Sequence, residues 1–82
     1  MSKRFPAANY HDIAKIAKKL GFYFYRQAKG SHEIWRKDKD GRQTTIPNHG
    51  AKIIKRRTLK AILEDFQISI EDFAKLKKDK RR

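Results

Sequence analysis

Phe22-Tyr23-Phe24-Tyr25-Arg26-Gln27, the short link Ala28-Lys29, and Gly30-Ser31-His32-Glu33-Ile34-Trp35-Arg36-Lys37 form the stretch on which the fold turns. The first run is aromatic, strand-prone and too short for a helix, and the second reads as a strand from Ser31 to Lys37. Ala28-Lys29-Gly30 makes the turn between them. Asp38-Lys39-Asp40-Gly41 closes a second hairpin, with Gly41 suited to the left-handed position of a bulged type I turn. A calcium loop centred on Gly41 fails, because its first and twelfth ligands would be Arg36 and Pro47. The third strand, Arg42 to Ile46, is threonine-rich and ends at Pro47, which withholds a backbone donor. The inward face of the first strand stays open, since Phe22 and Phe24 alternate with equally bulky Tyr23 and Tyr25.

Helices flank these strands. Ile13, Ile16, Ala17 and Leu20 recur at offsets 0, 3, 4 and 7, so residues 10–20 form an amphipathic helix. Asn9 caps it, Asp12 completes a capping box, and Gly21 supplies the left-handed stop. Leu59, Ile62, Leu63 and Phe66 repeat the stripe in a helix capped by Thr58. Ser69 caps a last short helix with Ile70, Phe73 and Leu76 inward and Asp72 in the box position. The basic run Lys77 to Arg82 reads as a frayed tail.

The expected fold is α+β: a two-layer sandwich with a three-stranded antiparallel sheet and helices on one face, in the order α-β-β-β-α. Small proteins that bind double-stranded RNA share that layout. Residues 1–82 make a single domain, and a chain this short buries only about 60 to 65 percent of the surface its unfolded form exposes.

Charge is the strongest bulk signal, with 22 Lys and Arg against 9 Asp and Glu and a formal net charge of +13. Such a surplus fits a polyanion, through counterion release from phosphates. Nucleic acid is preferred over a membrane surface, because no segment joins a basic face to the bulky apolar face that membrane-surface helices need. The lack of cysteine excludes disulfides and thiolate zinc sites. No apolar run approaches a membrane span, and the opening Met-Ser-Lys-Arg-Phe-Pro is followed by no apolar core of a signal peptide, so a cytoplasmic protein is expected.

Gly30-Ser31-His32 is the candidate reactive element. Glycine lets a backbone approach a ligand, serine donates to phosphate oxygens, and histidine moves protons near neutrality. Lys52, Lys55, Arg56 and Arg57 form the candidate phosphate track, and Arg26 and Lys29 stand near the element in sequence. His49 is a candidate second proton carrier, with a loop-structuring role preferred. The acids fall mostly in caps and turns, so no metal site and no cofactor is expected. Tyr23, Tyr25 and Trp35 can stack on bases, but packing is the preferred reading in so small a sheet.

From about Ile13 to Phe73 the chain resembles the HicA toxin family. The resemblance rests on Leu20-Gly21-Phe22, Arg26-Gln27, Gly30-Ser31-His32, Asp40-Gly41-Arg42, Ile46-Pro47-Asn48-His49, Lys52 and Lys55, Thr58-Leu59 and Ile62-Leu63, in that order. It implies a small ribonuclease of a toxin–antitoxin pair, with a fold like a double-stranded-RNA-binding domain. It further implies His32 as the catalytic residue, mRNA as substrate and a HicB-like antitoxin as partner. The chain departs from the family pattern in placing two residues, Ala28-Lys29, where one is usual, and Arg56-Arg57 where a glycine often precedes Thr-Leu. The competing expectation is a noncatalytic RNA-binding module using the same basic face.

Overall fold

Asn9 begins the first helix as its sequence foretells. Its side chain accepts the Asp12 N–H at 3.0 Å, while the Asp12 carboxylate accepts the Asn9 N–H at 3.1 Å. In the computed structural model, which describes residues 6–78, this helix is α1 (Tyr10–Lys19). Ile13, Ala14, Ile16 and Ala17 form its buried stripe. Gly21, at φ +97°, turns the chain so that Phe22 N–H donates to the Ala17 carbonyl at 2.8 Å. That bond seats Phe22 in the core, its ring 5.0 Å from Phe66.

Three strands follow: β1 (Tyr23–Gln27), β2 (His32–Lys37) and β3 (Arg42–Pro47), antiparallel in the order β1-β2-β3. The Asp38–Gly41 turn pairs Lys37 with Arg42, and the unbroken register carries through to His32 opposite Pro47. Side chains alternate across a strand. Glu33, Trp35, Thr44 and Ile46 therefore face the helices, while His32, Ile34, Arg36, Gln43, Thr45 and Pro47 form the outer face.

Two helices complete the helical layer, α2 (Arg56–Phe66) and α3 (Ile70–Lys78). Leu59, Ile62, Leu63 and Phe66 from α2 and Phe73 from α3 meet the α1 stripe, Trp35 and Ile46 in one core. Each large apolar side chain so buried contributes on the order of 1.5–3 kcal/mol. Thr44 Oγ1 donates to Asp65 Oδ2 at 2.8 Å, tying β3 to α2 through the one hydroxyl that the sheet turns inward here. The α+β sandwich is as expected.

Three local expectations need correction. Thr58 is not the cap of α2; the helix starts three residues earlier than that cap implies, with Lys55 as a cap that makes no side-chain hydrogen bond. Arginine is a good helix former, so Arg56 and Arg57 are recruited despite their unfavourable charge at that end. Packing holds for Trp35 but not for Tyr23 and Tyr25, which are 40% and 47% exposed. The cause is position: β1 is an edge strand, and both rings lie on its face away from the helical layer, Tyr23 opposite the outward-facing Arg36. Finally, Lys77 and Lys78 belong to the last turn of α3. The remainder of the expected tail, residues 79–82, lies outside the described residues.

Candidate functional site

The turn that presents His32 is held by its neighbours. Ala28 N–H donates to the His32 carbonyl at 2.8 Å, and His32 N–H to the Lys29 carbonyl at 3.3 Å. The Gln27 side-chain amide donates to both the Gly30 and His32 carbonyls, at 3.1 and 3.2 Å. Gly30 sits at φ +64°, a conformation that costs an L-residue roughly 1–2 kcal/mol. His32 emerges from this turn as the first residue of β2, exposed on the outer face.

Opposite it, Pro47 ends β3 and the chain enters the loop carrying His49. Asn48 fastens that loop twice: its N–H donates to the Ser31 carbonyl at 2.9 Å, and its side-chain N–H to Glu33 Oε2 at 3.1 Å. Glu33 is buried yet fully employed, since its Oε1 also accepts the Tyr10 hydroxyl at 2.7 Å and the Trp35 indole N–H at 3.0 Å. Burial, aided by the hydrogen bond and charge of Glu33, pushes the Tyr10 phenol up to about 12. Gly50 N–H then returns to Asn48 Oδ1 at 3.2 Å, closing a tight turn around His49.

Between these two anchored segments and the start of α2 lies a cleft of about 490 Å³. His32, Thr45, Pro47, His49, Lys52, Ile53, Ile54, Lys55 and Thr58 line it. Two imidazoles, two ammonium groups and two hydroxyls thus share one concavity. The neighbouring N-terminus of α2 has no side-chain cap and no acid in its first turn, so the positive end of its dipole is uncompensated beside the cleft. The lining thus combines cationic groups with two imidazoles, a chemistry suited to an anion. Among the described residues no group of three or more His, Asp or Glu stands close enough to hold a metal ion.

Of the residues expected from sequence, the cleft unites His32, Lys52 and Lys55, and adds His49. Lys29, Gly30 and Ser31 lie in the turn that leads into His32, and Arg56 and Arg57 in the exposed first turn of α2. Arg26 stands elsewhere, on β1 opposite Ile34. Thr45 and Thr58 as cleft walls, and the Glu33 network behind them, were not anticipated. A signal for Glu33 was present: an acid two residues before Trp35 shares its inward face and must find donors there.

The family model described as HicA toxin of bacterial toxin-antitoxin matches residues 10–68. The chain belongs to the HicA toxin family. The HicA match begins at Tyr10, the donor to Glu33, and runs past α2, so it takes in α1, the sheet and every residue of the cleft. Membership makes the chain a toxin of a toxin–antitoxin system. No curated protein and no solved structure matches the chain. Among the described residues, no helix of this HicA chain is long and apolar enough to cross a membrane.

Proposed function

We propose that this HicA-family toxin is an endoribonuclease that cleaves mRNA by histidine-dependent acid/base chemistry without a metal, and that a HicB-like antitoxin neutralises it. The observation that carries this reading is the sharing of one cationic cleft by His32, His49, Lys52 and Lys55. RNA brings its own nucleophile. His32 removes the proton of a 2′-hydroxyl as that oxygen attacks the adjacent phosphorus; the bond from phosphorus to the 5′-oxygen breaks, and His49 returns a proton to the departing oxygen. The products are a 2′,3′-cyclic phosphate and a 5′-hydroxyl. Each proton transfer of this kind contributes roughly 100- to 10,000-fold.

Lys52 and Lys55 offset the charge that develops on the phosphate oxygens. Gly30 and Ser31 offer backbone donors beside His32, with Lys29 and Arg26 as further cations on the approach. Arg56 and Arg57 extend the phosphate track along the first turn of α2. Incubation of the purified chain with an excess of defined RNA tests the reading. More than one new 5′-hydroxyl end per protein, undiminished by EDTA, is expected; a shifted band without new ends would mark a noncatalytic binder, and activity restored only by added magnesium would overturn the metal-free step.

A further inference from the structure

The exposed row on β1 is absorbed by neither the core nor the cleft. Tyr23 pairs with Arg36, and Arg26 with Ile34, whereas the register shifts between Phe24 and Arg26. The shift puts Tyr25 and Arg26 together opposite Ile34, a bulge that directs both to the outer face. Tyr25 confirms this placement by lying under the Arg36 guanidinium, 4.7 Å from ring centroid to Cζ. Tyr23, on the same face, is held at its hydroxyl by Asp38 Oδ1 at 2.9 Å. No helix covers these rings, and they are about half exposed.

We propose that Tyr23, Tyr25 and Arg36 form a base-stacking platform for unpaired RNA, leading to His32 along β2. The inference rests on the ribonuclease reading and names the form of RNA that the cleft receives. Four features carry it. Both rings are immobilised in advance, which lowers the ordering cost of binding. Arg36 has no carboxylate partner among the described residues, and its buried Nε–H has no acceptor. Aromatic rings and guanidinium planes are the surfaces on which proteins stack splayed-out bases, and they are sequence-tolerant because every base has a π-face. Finally, Arg36 and His32 lie on one face of one strand four residues apart, about 13 Å at 3.3 Å per residue, so a strand a few nucleotides long can lie on both.

A duplex cannot use the platform, because its bases are already stacked on one another. A partner protein adding a strand to the β1 edge is disfavoured by the bulge, which bends the edge and interrupts its ladder. The charge of Arg26 and Arg36 also fits a phosphate chain running beside the bases.

The test is affinity of the full chain carrying His32→Ala, to keep RNA intact, for an unstructured RNA oligonucleotide and for the duplex of the same sequence. Tyr23→Leu and Tyr25→Leu are each expected to weaken single-strand binding by about ten- to a hundredfold. Duplex binding, the salt slope and the melting temperature should stay as in the parent. Unchanged single-strand affinity in the two leucine variants overturns the platform, as does an equal loss on single strand and duplex. If these variants keep RNA affinity but escape the antitoxin, the face belongs to a protein and the platform is likewise refuted. The ribonuclease reading is judged separately: a His32-intact chain that cleaves RNA at full rate with Tyr25→Leu leaves that reading standing and removes only the platform, whereas a chain that neither binds nor cleaves any RNA removes both.

Discussion

Glu33 Oε2 accepts the Asn48 side-chain N–H at 3.1 Å, joining the second residue of β2 to the loop that carries His49. The bond crosses from a buried carboxylate to an exposed loop, so it sets the position of one cleft wall from inside the core. Asn48→Ala is expected to cost about 1 kcal/mol of stability, as for one ordinary hydrogen bond, and to reduce RNA cleavage more than RNA affinity. Glu33→Ala should cost more, roughly 1–3 kcal/mol, because Trp35 is left with a buried indole N–H and no acceptor. Urea unfolding beside single-turnover cleavage separates the two effects.

The Tyr10–Glu33 contact makes a pH statement. The Tyr10 phenol is raised in the folded chain to about 12, against an ordinary value of 10.0. A raised folded value means the stabilisation is full below about pH 10 and is lost as pH climbs through 12. Tyr10→Phe should therefore be less stable than the parent at neutrality, and the gap should narrow between pH 10 and 12. Comparing the two chains cancels the lysine titrations common to both. A constant gap across that window would contradict a protonated Tyr10 hydroxyl donating to Glu33.

Salt dependence reads the phosphate track. With four or five contacts to single-stranded RNA, log affinity should fall against log salt with a slope of about −3. Replacing Lys52 and Lys55 by Gln should make the slope shallower by about 1.4, since each phosphate contact contributes roughly 0.7. A slope unchanged by the double substitution would place the RNA path away from the cleft.

The antitoxin prediction follows from charge. A partner that covers a cleft walled by Lys52 and Lys55 in a chain of net charge +13 should present carboxylates, and its association should slow as salt rises. His32 should be shielded from chemical modification in the complex. An antitoxin that inhibits fully while His32 stays reactive and RNA still binds would mean inhibition by distortion of the site.

The parts of the fold that local chemistry dictates were legible in the sequence. Asn9 and Asp12 form their capping box, Gly21 and Gly41 take positive φ, and Ser69 Oγ accepts the Asp72 N–H at 3.0 Å. The start of α2 was not, because Arg56 and Arg57 tolerate either helix or loop and the decision falls to packing. That His32 and His49 line one cleft was not visible in the sequence. Counting back from a Lys37–Arg42 closing pair seats His32 on Pro47, two residues short of His49, but the direction of the following loop depends on Asn48 reaching Glu33. The exposure of Tyr23 and Tyr25 was hidden for a different reason. The unbroken aromatic run Phe22 to Tyr25 carries no alternation, and neither the bulge nor the choice of outward face is written in it.

The most direct measurement is the single-turnover cleavage rate of a defined RNA by the parent, His32→Ala, His49→Ala and the double variant, with folding checked by circular dichroism. Both histidines are exposed, so their loss should leave the fold intact. The expected result is a fall of about 100- to 10,000-fold for His32→Ala, a clear fall for His49→Ala, and a double variant little slower than His32→Ala alone, since the two act on one step. Cleavage by His32→Ala at the parental rate would contradict the assignment of the cleft as the catalytic site.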